Sequence, residues 1–126
     1  MGQLRWSAGL LGATCPDRLR PELYSALGDL AMVAGHLAVD VGAHEQASRV
    51  YRFGLAHAEK AGDWPLRGEI LSCMAKQAVW TGQPDEGITL AEQGLVRPDR
   101  LTVAGRSRLH TDRGLRWSRC AGSTRP

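Results

Sequence analysis

A forty-residue internal repeat is the feature that most constrains what this chain can fold into. Residues 28–55 align without gaps on residues 68–95, so that Gly42 falls on Gly82 and apolar positions fall on apolar positions. A further shift of forty residues reaches Gly122, although the third copy is otherwise weak. A unit of this length holds one supersecondary element, and neighbouring units must stack to bury its apolar side.

The first copy has the pattern of two helices joined by a glycine turn. A helix is predicted from Pro21 to Asp40, because proline suits a first helical turn and apolar residues then recur at helical spacing. Those apolar positions are Leu23, Leu27, Leu30, Ala31, Ala34 and Ala38. Gly42 suits the left-handed residue that ends a helix, and a second helix is predicted from His44 to Ala61.

The second copy repeats this pattern and is followed by one more helix. Asp63 is a suitable N-cap for a helix that begins at Trp64, Gly82 breaks that helix, and the next begins at Pro84. A last helix is predicted over residues 101–117. No stretch alternates with period two, so the sequence predicts an all-α fold of antiparallel helix pairs, with about two and a half repeats.

The same pattern divides the chain into three parts. Residues 1–20 are predicted to be a partly helical or loose N-terminal segment, residues 21–117 the helical repeat domain, and residues 118–126 a disordered tail rich in Gly, Ser, Thr, Arg and Pro. Small residues stand at equivalent places of the two copies, in the pairs Gly35 and Ala75, Ala47 and Gly87, Gly54 and Gly94. Because a glycine inside a helix costs about 0.5–1 kcal/mol, this recurrence predicts closely spaced helix axes.

These residues resemble the tetratricopeptide (TPR) repeat. The match runs through Ala34, Gly35, Ala38, Gly42, Ala47, Tyr51 and Gly54 in the first copy, and through Leu71, Met74, Ala75, Ala78, Gly82, Gly87, Ala91 and Gly94 in the second. The repeat is longer than the usual ~34 residues, and alanine fills first-helix aromatic positions, so the repeats are degenerate. The resemblance implies a short α-solenoid whose first helices line a concave groove.

Three segments, residues 30–42, 56–63 and 71–82, are also similar to the C-terminal helical region of actinobacterial transcriptional regulators with an Xre-type helix-turn-helix domain. The similarity covers about residues 20–115 and implies a non-enzymatic module that binds or senses a protein or peptide segment. The residues before Pro21 are too few for a helix-turn-helix domain of five helices. We therefore expect DNA binding only through a domain missing from this sequence.

The repeat register gives candidate residues for the groove that binds the partner. They are Asp29, Met32, His36 and Asp40 from the first copy, and Glu69, Ser72, Lys76 and Trp80 from the second. Trp80 is suited to anchor an apolar side chain and Lys76 to meet a carboxylate. The alternative is that a neighbouring helix caps these positions or that water solvates them.

The sequence lacks the motifs of enzymes and of metal sites. It has no P-loop, G-x-S-x-G, H-E-x-x-H or dinucleotide fingerprint, and no C-x-x-C or paired histidine spacing. It therefore predicts no catalytic residue, no cofactor and no metal. The three cysteines lie far apart in the sequence, which fits a reducing cytoplasm. The sequence has no run of about 18 apolar residues, so it predicts no membrane span.

Charge distribution and the open ends of the repeat leave two other functions possible. Residues 1–96 carry a net charge of −3 and residues 97–126 a net charge of +6, so the arginine-rich end is a candidate nucleic-acid contact.

Tyr51 is predicted to lie in the core and Phe53 to be partly exposed. Since stacked repeats leave apolar end faces, a structural homodimer is the other alternative.

Overall fold

A computed structural model of the chain describes residues 17–123, with side-chain surroundings for residues 18–114. That part contains two short 3-10 segments, Asp17–Leu19 and Pro98–Arg100, and no strand. Its five α-helices are α1 (Arg20–Asp40), α2 (His44–Ala61), α3 (Trp64–Trp80), α4 (Pro84–Gly94) and α5 (Val103–Ser123). The prediction of an all-α fold is confirmed for the described residues.

The predicted helix bounds agree with the structure best at the turns and least at the C-terminal end. The last helix was predicted over residues 101–117 but runs over Val103–Ser123, so residues 118–123 are helical where a disordered tail was expected. No proline lies between Pro98 and Pro126, so no residue in the segment lacks the backbone N–H that a helix needs. Residues 1–16 of the predicted N-terminal segment and residues 124–126 of the predicted tail lie outside the described residues.

Three glycines spaced twenty residues apart end the first three helices. Gly42, Gly62 and Gly82 have φ angles of +79°, +67° and +84°. After each glycine, the next backbone N–H donates to the carbonyl five residues earlier, at 2.8 Å for Ala43, 3.0 Å for Asp63 and 2.8 Å for Gln83. This Schellman geometry satisfies carbonyls that the helix end leaves free. Gly42 and Gly82 are therefore equivalent corners, as the repeat predicted.

The chain divides into two compact units, residues 1–66 and residues 67–126. In the first unit α1 and α2 pack antiparallel, and Gly35 of α1 lies directly against the Tyr51 ring of α2. Tyr51 is 1% exposed, which confirms its predicted place in the core, and Phe53 is half-buried. Leu23 and Leu30 were predicted on the apolar face with Leu27, but they are exposed because they lie on another side of α1.

In the second unit α4 packs against both α3 and α5. A Cβ on Gly87 of α4 would lie 3.1 Å from the Ala75 carbonyl oxygen of α3, and one on Gly94 would lie 2.7 Å from the Leu109 side chain of α5. These distances confirm the prediction of close helix axes at the recurring small residues. The corner between α3 and α4 lies forty residues after the corner between α1 and α2. The helices that follow these two corners differ in length, since α4 has 11 residues and α2 has 18.

Candidate functional site

Among the described residues of the first unit, the most exposed apolar surface is a line of side chains along α1. Its large members are 39–79% exposed, and Ala26 is exposed between them. We name this line the α1 stripe; it consists of Leu19, Leu23, Ala26, Leu30, Val33, Leu37 and Val41. The spacing alternates between four and three residues from Leu19 to Leu37, which is the spacing of a coiled-coil seam.

The α1 stripe lies about a third of the way around the helix from the side that packs on α2. The packed side contains Leu27, Gly28, Ala31 and Gly35, which are all buried. With about 100° of rotation per residue, Leu30 and Leu37 lie about 120° around the helix from the centre of that side. A helix with two apolar sides is typical of the interior of a protein, and a contiguous exposed apolar surface marks an interaction site.

The second copy of the repeat shows what the same positions do when they are buried. Forty residues after Ala26, Leu30 and Leu37 stand Leu66, Ile70 and Gln77, which are 5%, 0% and 8% exposed. The repeat thus uses this face as a packing surface in its second copy. In the first copy the corresponding face is exposed.

A polar edge runs beside the α1 stripe. Glu22, Asp29 and His36 are exposed and follow one another at intervals of seven residues. Burial, and in second place the nearby Asp63 carboxylate, raise the pKa of Asp29 above its ordinary value. The His36 ring meets the Tyr51 ring edge-on at 6.0 Å between centroids.

The structure places the first four predicted groove residues on this same side of α1. Asp29, His36 and Asp40 are exposed and Met32 is half-buried. They therefore share one surface, and that surface borders the α1 stripe. Sequence reasoning missed the stripe itself, because it assigned Leu23 and Leu30 to the core.

The other four predicted groove residues lie on α3 in the second unit and have different surroundings. Trp80 is 72% exposed and Glu69 is half-buried, whereas Ser72 is 1% exposed. The Ser72 Oγ donates to the Asp112 Oδ2 of α5 at 2.5 Å, and the Lys76 Nζ lies 3.9 Å from the Asp112 Oδ1. Ser72 and Lys76 thus face α5, which matches the alternative of a capping helix, and Trp80 stays at the surface.

Asp112 was not among the predicted site residues, yet it is the most deeply buried carboxylate of the described residues, at 1% exposure. The signal that points to it is the repeat, since it stands forty residues after Ser72. Burial raises the pKa of Asp112, and the Ser72 hydrogen bond and the Lys76 and Arg108 charges oppose that shift only in part. The Oδ1 accepts no hydrogen bond.

This cluster is suited to hold α3 and α5 in register rather than to react. The Ser72 hydroxyl is committed to Asp112 and is inaccessible to a substrate. Burial raises the pKa of the neighbouring Cys73 thiol to about 11, so the thiol stays protonated and weakly nucleophilic at neutral pH.

The buried histidine of the first unit has structural surroundings. His57 is buried, with its Nδ1 2.8 Å from the Phe53 carbonyl oxygen and its ring beside those of Phe53 and Tyr24. Within residues 17–123 no three His, Cys, Asp or Glu side chains come together in a way that would hold a metal ion. None of the helices in that range combines the length and the apolar character needed to cross a membrane.

Comparison with known proteins adds no relative. No protein family matches the chain, no curated protein is similar to it, and no solved structure resembles it. The candidate site therefore rests on the geometry described above.

Proposed function

We propose that this chain is a non-enzymatic, TPR-like protein-binding module whose binding surface is the α1 stripe. The observation that carries the proposal is the row of large apolar side chains, 39–79% exposed, along α1. The antiparallel helix pairs and their equivalent glycine corners support a TPR-like arrangement. The sequence resemblance of residues 30–42, 56–63 and 71–82 to C-terminal regions of actinobacterial regulators is the basis for proposing a role in transcription regulation, with DNA contacted through another domain.

A helical segment is the partner that fits this surface. The stripe extends over about 33 Å from Leu19 to Val41, at 1.5 Å per residue, and presents anchors at the spacing of a facing helix. Covering the exposed part of each large side chain contributes about 1 kcal/mol. The polar edge at Glu22 and Asp29 favours a partner that carries basic or hydrogen-bond-donating side chains beside its apolar face.

A library of amphipathic helical peptides tests the proposal. Peptides selected on the wild-type chain are expected to lose about tenfold or more in affinity for the double variant Leu30→Glu, Leu37→Glu, since each glutamate would be buried against an apolar partner. Val96→Glu is the matched control, because Val96 is 65% exposed and lies in the second unit. Fluorescence anisotropy measures the affinities, and circular dichroism checks that helix content is unchanged.

The same assay compares the α1 stripe with the groove residues that the sequence predicts on α3. If Trp80→Ala and Lys76→Glu weaken the selected peptides while the α1 double variant does not, binding occurs at α3 and the α1 assignment is wrong. If neither set of variants changes affinity, the peptides bind elsewhere and the proposed binding surface is excluded.

The arginine-rich end gives a second candidate function, nucleic-acid contact. Arg106, Arg108 and Arg113 are exposed on α5, and the Arg113 Nη2 lies 3.8 Å from the Glu92 Oε1. Binding of this kind would weaken steeply between low and moderate salt. A DNA affinity that is independent of salt, or that survives substitution of these three arginines by glutamine, would exclude it.

A further inference from the structure

We propose that the partner of the α1 stripe is the α1 stripe of a second copy of this chain, paired antiparallel in a two-fold dimer. This inference rests on the proposed function, because it names the occupant of the same surface. Its basis is that the stripe is complementary to itself.

Antiparallel pairing gives an apolar partner to the central residues of the stripe. With seam positions aligned as in a coiled coil, Leu19 meets Leu37 of the second copy, Leu23 meets Val33, and Ala26 meets Leu30. The smallest residue thus lies opposite a leucine at the centre, where the two helices come closest. Two-fold symmetry repeats each of these contacts, so one stripe supplies both sides of the interface.

The charges beside the stripe favour the antiparallel orientation over the parallel one. In a parallel pair, Asp40, which occupies the next seam position after Leu37, would lie against Asp40 of the second copy. In the antiparallel pair Asp40 extends beyond the contact. Glu22 then lies beside His36 of the second copy, and only Asp29 meets its own equivalent, next to the two-fold axis.

The size of the contact predicts a dimer of moderate affinity. Two helix faces about 33 Å long and about 10 Å wide bury about 700 Å² in total, which is the size of a weak, transient protein interface. We therefore expect a dissociation constant in the micromolar range, as is common for interfaces of this size. The central positions of this face are already used for packing in the second copy, where Ile70 is fully buried.

Sedimentation velocity on the full chain across a range of concentrations tests for the dimer. Wild type is expected to dimerise, and the double variant Leu30→Glu, Leu37→Glu to raise the dissociation constant by about a hundredfold or more, since four glutamates would enter the seam. Val96→Glu is expected to dimerise like wild type. Asp29→Asn is expected to tighten the dimer about two- to fivefold, because it removes the one like-charge contact.

Chemical crosslinking determines whether the two α1 helices pair antiparallel or parallel. In a background with Cys15→Ser, Cys73→Ala and Cys120→Ser, the additional Asp29→Cys chain is expected to form a covalent dimer with a short bis-maleimide. Glu22→Cys is not expected to do so, because its two copies would be separated by about 18 Å along the helix axes. Efficient crosslinking at both positions would show parallel pairing and contradict the proposal.

The outcomes separate this inference from the proposed function. A wild-type chain that stays monomeric while its stripe still binds helical peptides removes the dimer and leaves the binding module. If the dimer dissociation constant is unchanged by the Leu30 and Leu37 substitutions, the dimer forms through another surface, which also overturns the inference.

Discussion

At the scale of single residues, Asp112 has the most demanding surroundings of the described side chains. Its carboxylate is almost completely removed from water, and its hydrogen bond comes from the Ser72 hydroxyl. Lys76 is at ion-pair distance from the other oxygen but is itself nearly half exposed, so it compensates the buried charge only in part. A buried polar group of this kind is costly when its partner is removed.

The first prediction follows from the Ser72 hydrogen bond. Ser72→Ala is expected to lower the free energy of unfolding by about 1–3 kcal/mol, because it leaves a buried carboxylate oxygen without its donor. Urea denaturation measures the change. Ser107→Ala, at an exposed position of α5, is the matched control and should change stability by less than about 0.5 kcal/mol. Equal effects of the two substitutions would show that the bond contributes nothing.

The second prediction concerns pH. Since burial raises the pKa of Asp112 in the folded chain above its ordinary value, the folded state binds the proton more tightly than the unfolded state. The resulting stabilisation is complete below the unfolded pKa and is lost as pH rises through the folded pKa. Asp112→Asn should remove this dependence.

Wild type is therefore expected to be less stable than Asp112→Asn at pH 7 and to approach its stability toward pH 4. Urea titrations at several pH values measure the free energy of unfolding of both chains. Asp29 and the other carboxylates are common to both chains, so their contributions cancel in the difference between the two free energies. If wild type instead becomes more stable relative to Asp112→Asn as pH rises, the Lys76 and Arg108 charges lower the pKa of Asp112 by more than burial raises it.

At the scale of helices, the close approach of α1 and α2 depends on a position without a side chain. A Cβ on Gly35 would overlap the Tyr51 ring, and that ring is 1% exposed, so it has no room to move away. The helix α5 offers a contrast, since a Cβ on Gly114 would have nothing within 4 Å. The two glycines are therefore equivalent in helix propensity and different in packing.

The third prediction compares these two positions. Gly35→Ala is expected to destabilise the chain by about 1–3 kcal/mol, because α1 and α2 must separate to admit the methyl group. Gly114→Ala is expected to stabilise it by up to about 1 kcal/mol through helix propensity alone. Thermal and urea unfolding measure both. A stabilising Gly35→Ala would show that the two helices are not held at this spacing.

At the scale of the whole molecule, the proposed pairing of two α1 stripes would couple folding to association. A face that is buried in the second copy of the repeat and exposed in the first leaves the chain with an apolar surface that a second molecule can cover. Association that occurs only in the folded state stabilises that state by mass action. The stability of this chain should therefore depend on its concentration.

The fourth prediction is that the melting temperature of wild type rises with protein concentration. A tenfold increase in concentration favours a folded dimer over unfolded monomers by about 1.4 kcal/mol of dimer, or about 0.7 kcal/mol of chain, which should raise the midpoint by about 2–3 degrees in a chain of this size. Calorimetry at two concentrations measures the shift. The double variant Leu30→Glu, Leu37→Glu should show no shift, and a wild type whose midpoint is constant would argue against a dimer.

The sequence by itself determined the helices and their corners, because these depend on local chemistry. Gly42 and Gly82 adopt the left-handed conformation that non-glycine residues rarely adopt, Asp63 accepts from the Leu66 N–H at 3.1 Å, and the forty-residue spacing repeats the whole arrangement. Only the tertiary structure decided which apolar side of each helix is covered. Leu30 and Ile70 occupy equivalent repeat positions, yet one is 46% exposed and the other fully buried, since burial depends on neighbours that helical periodicity does not specify.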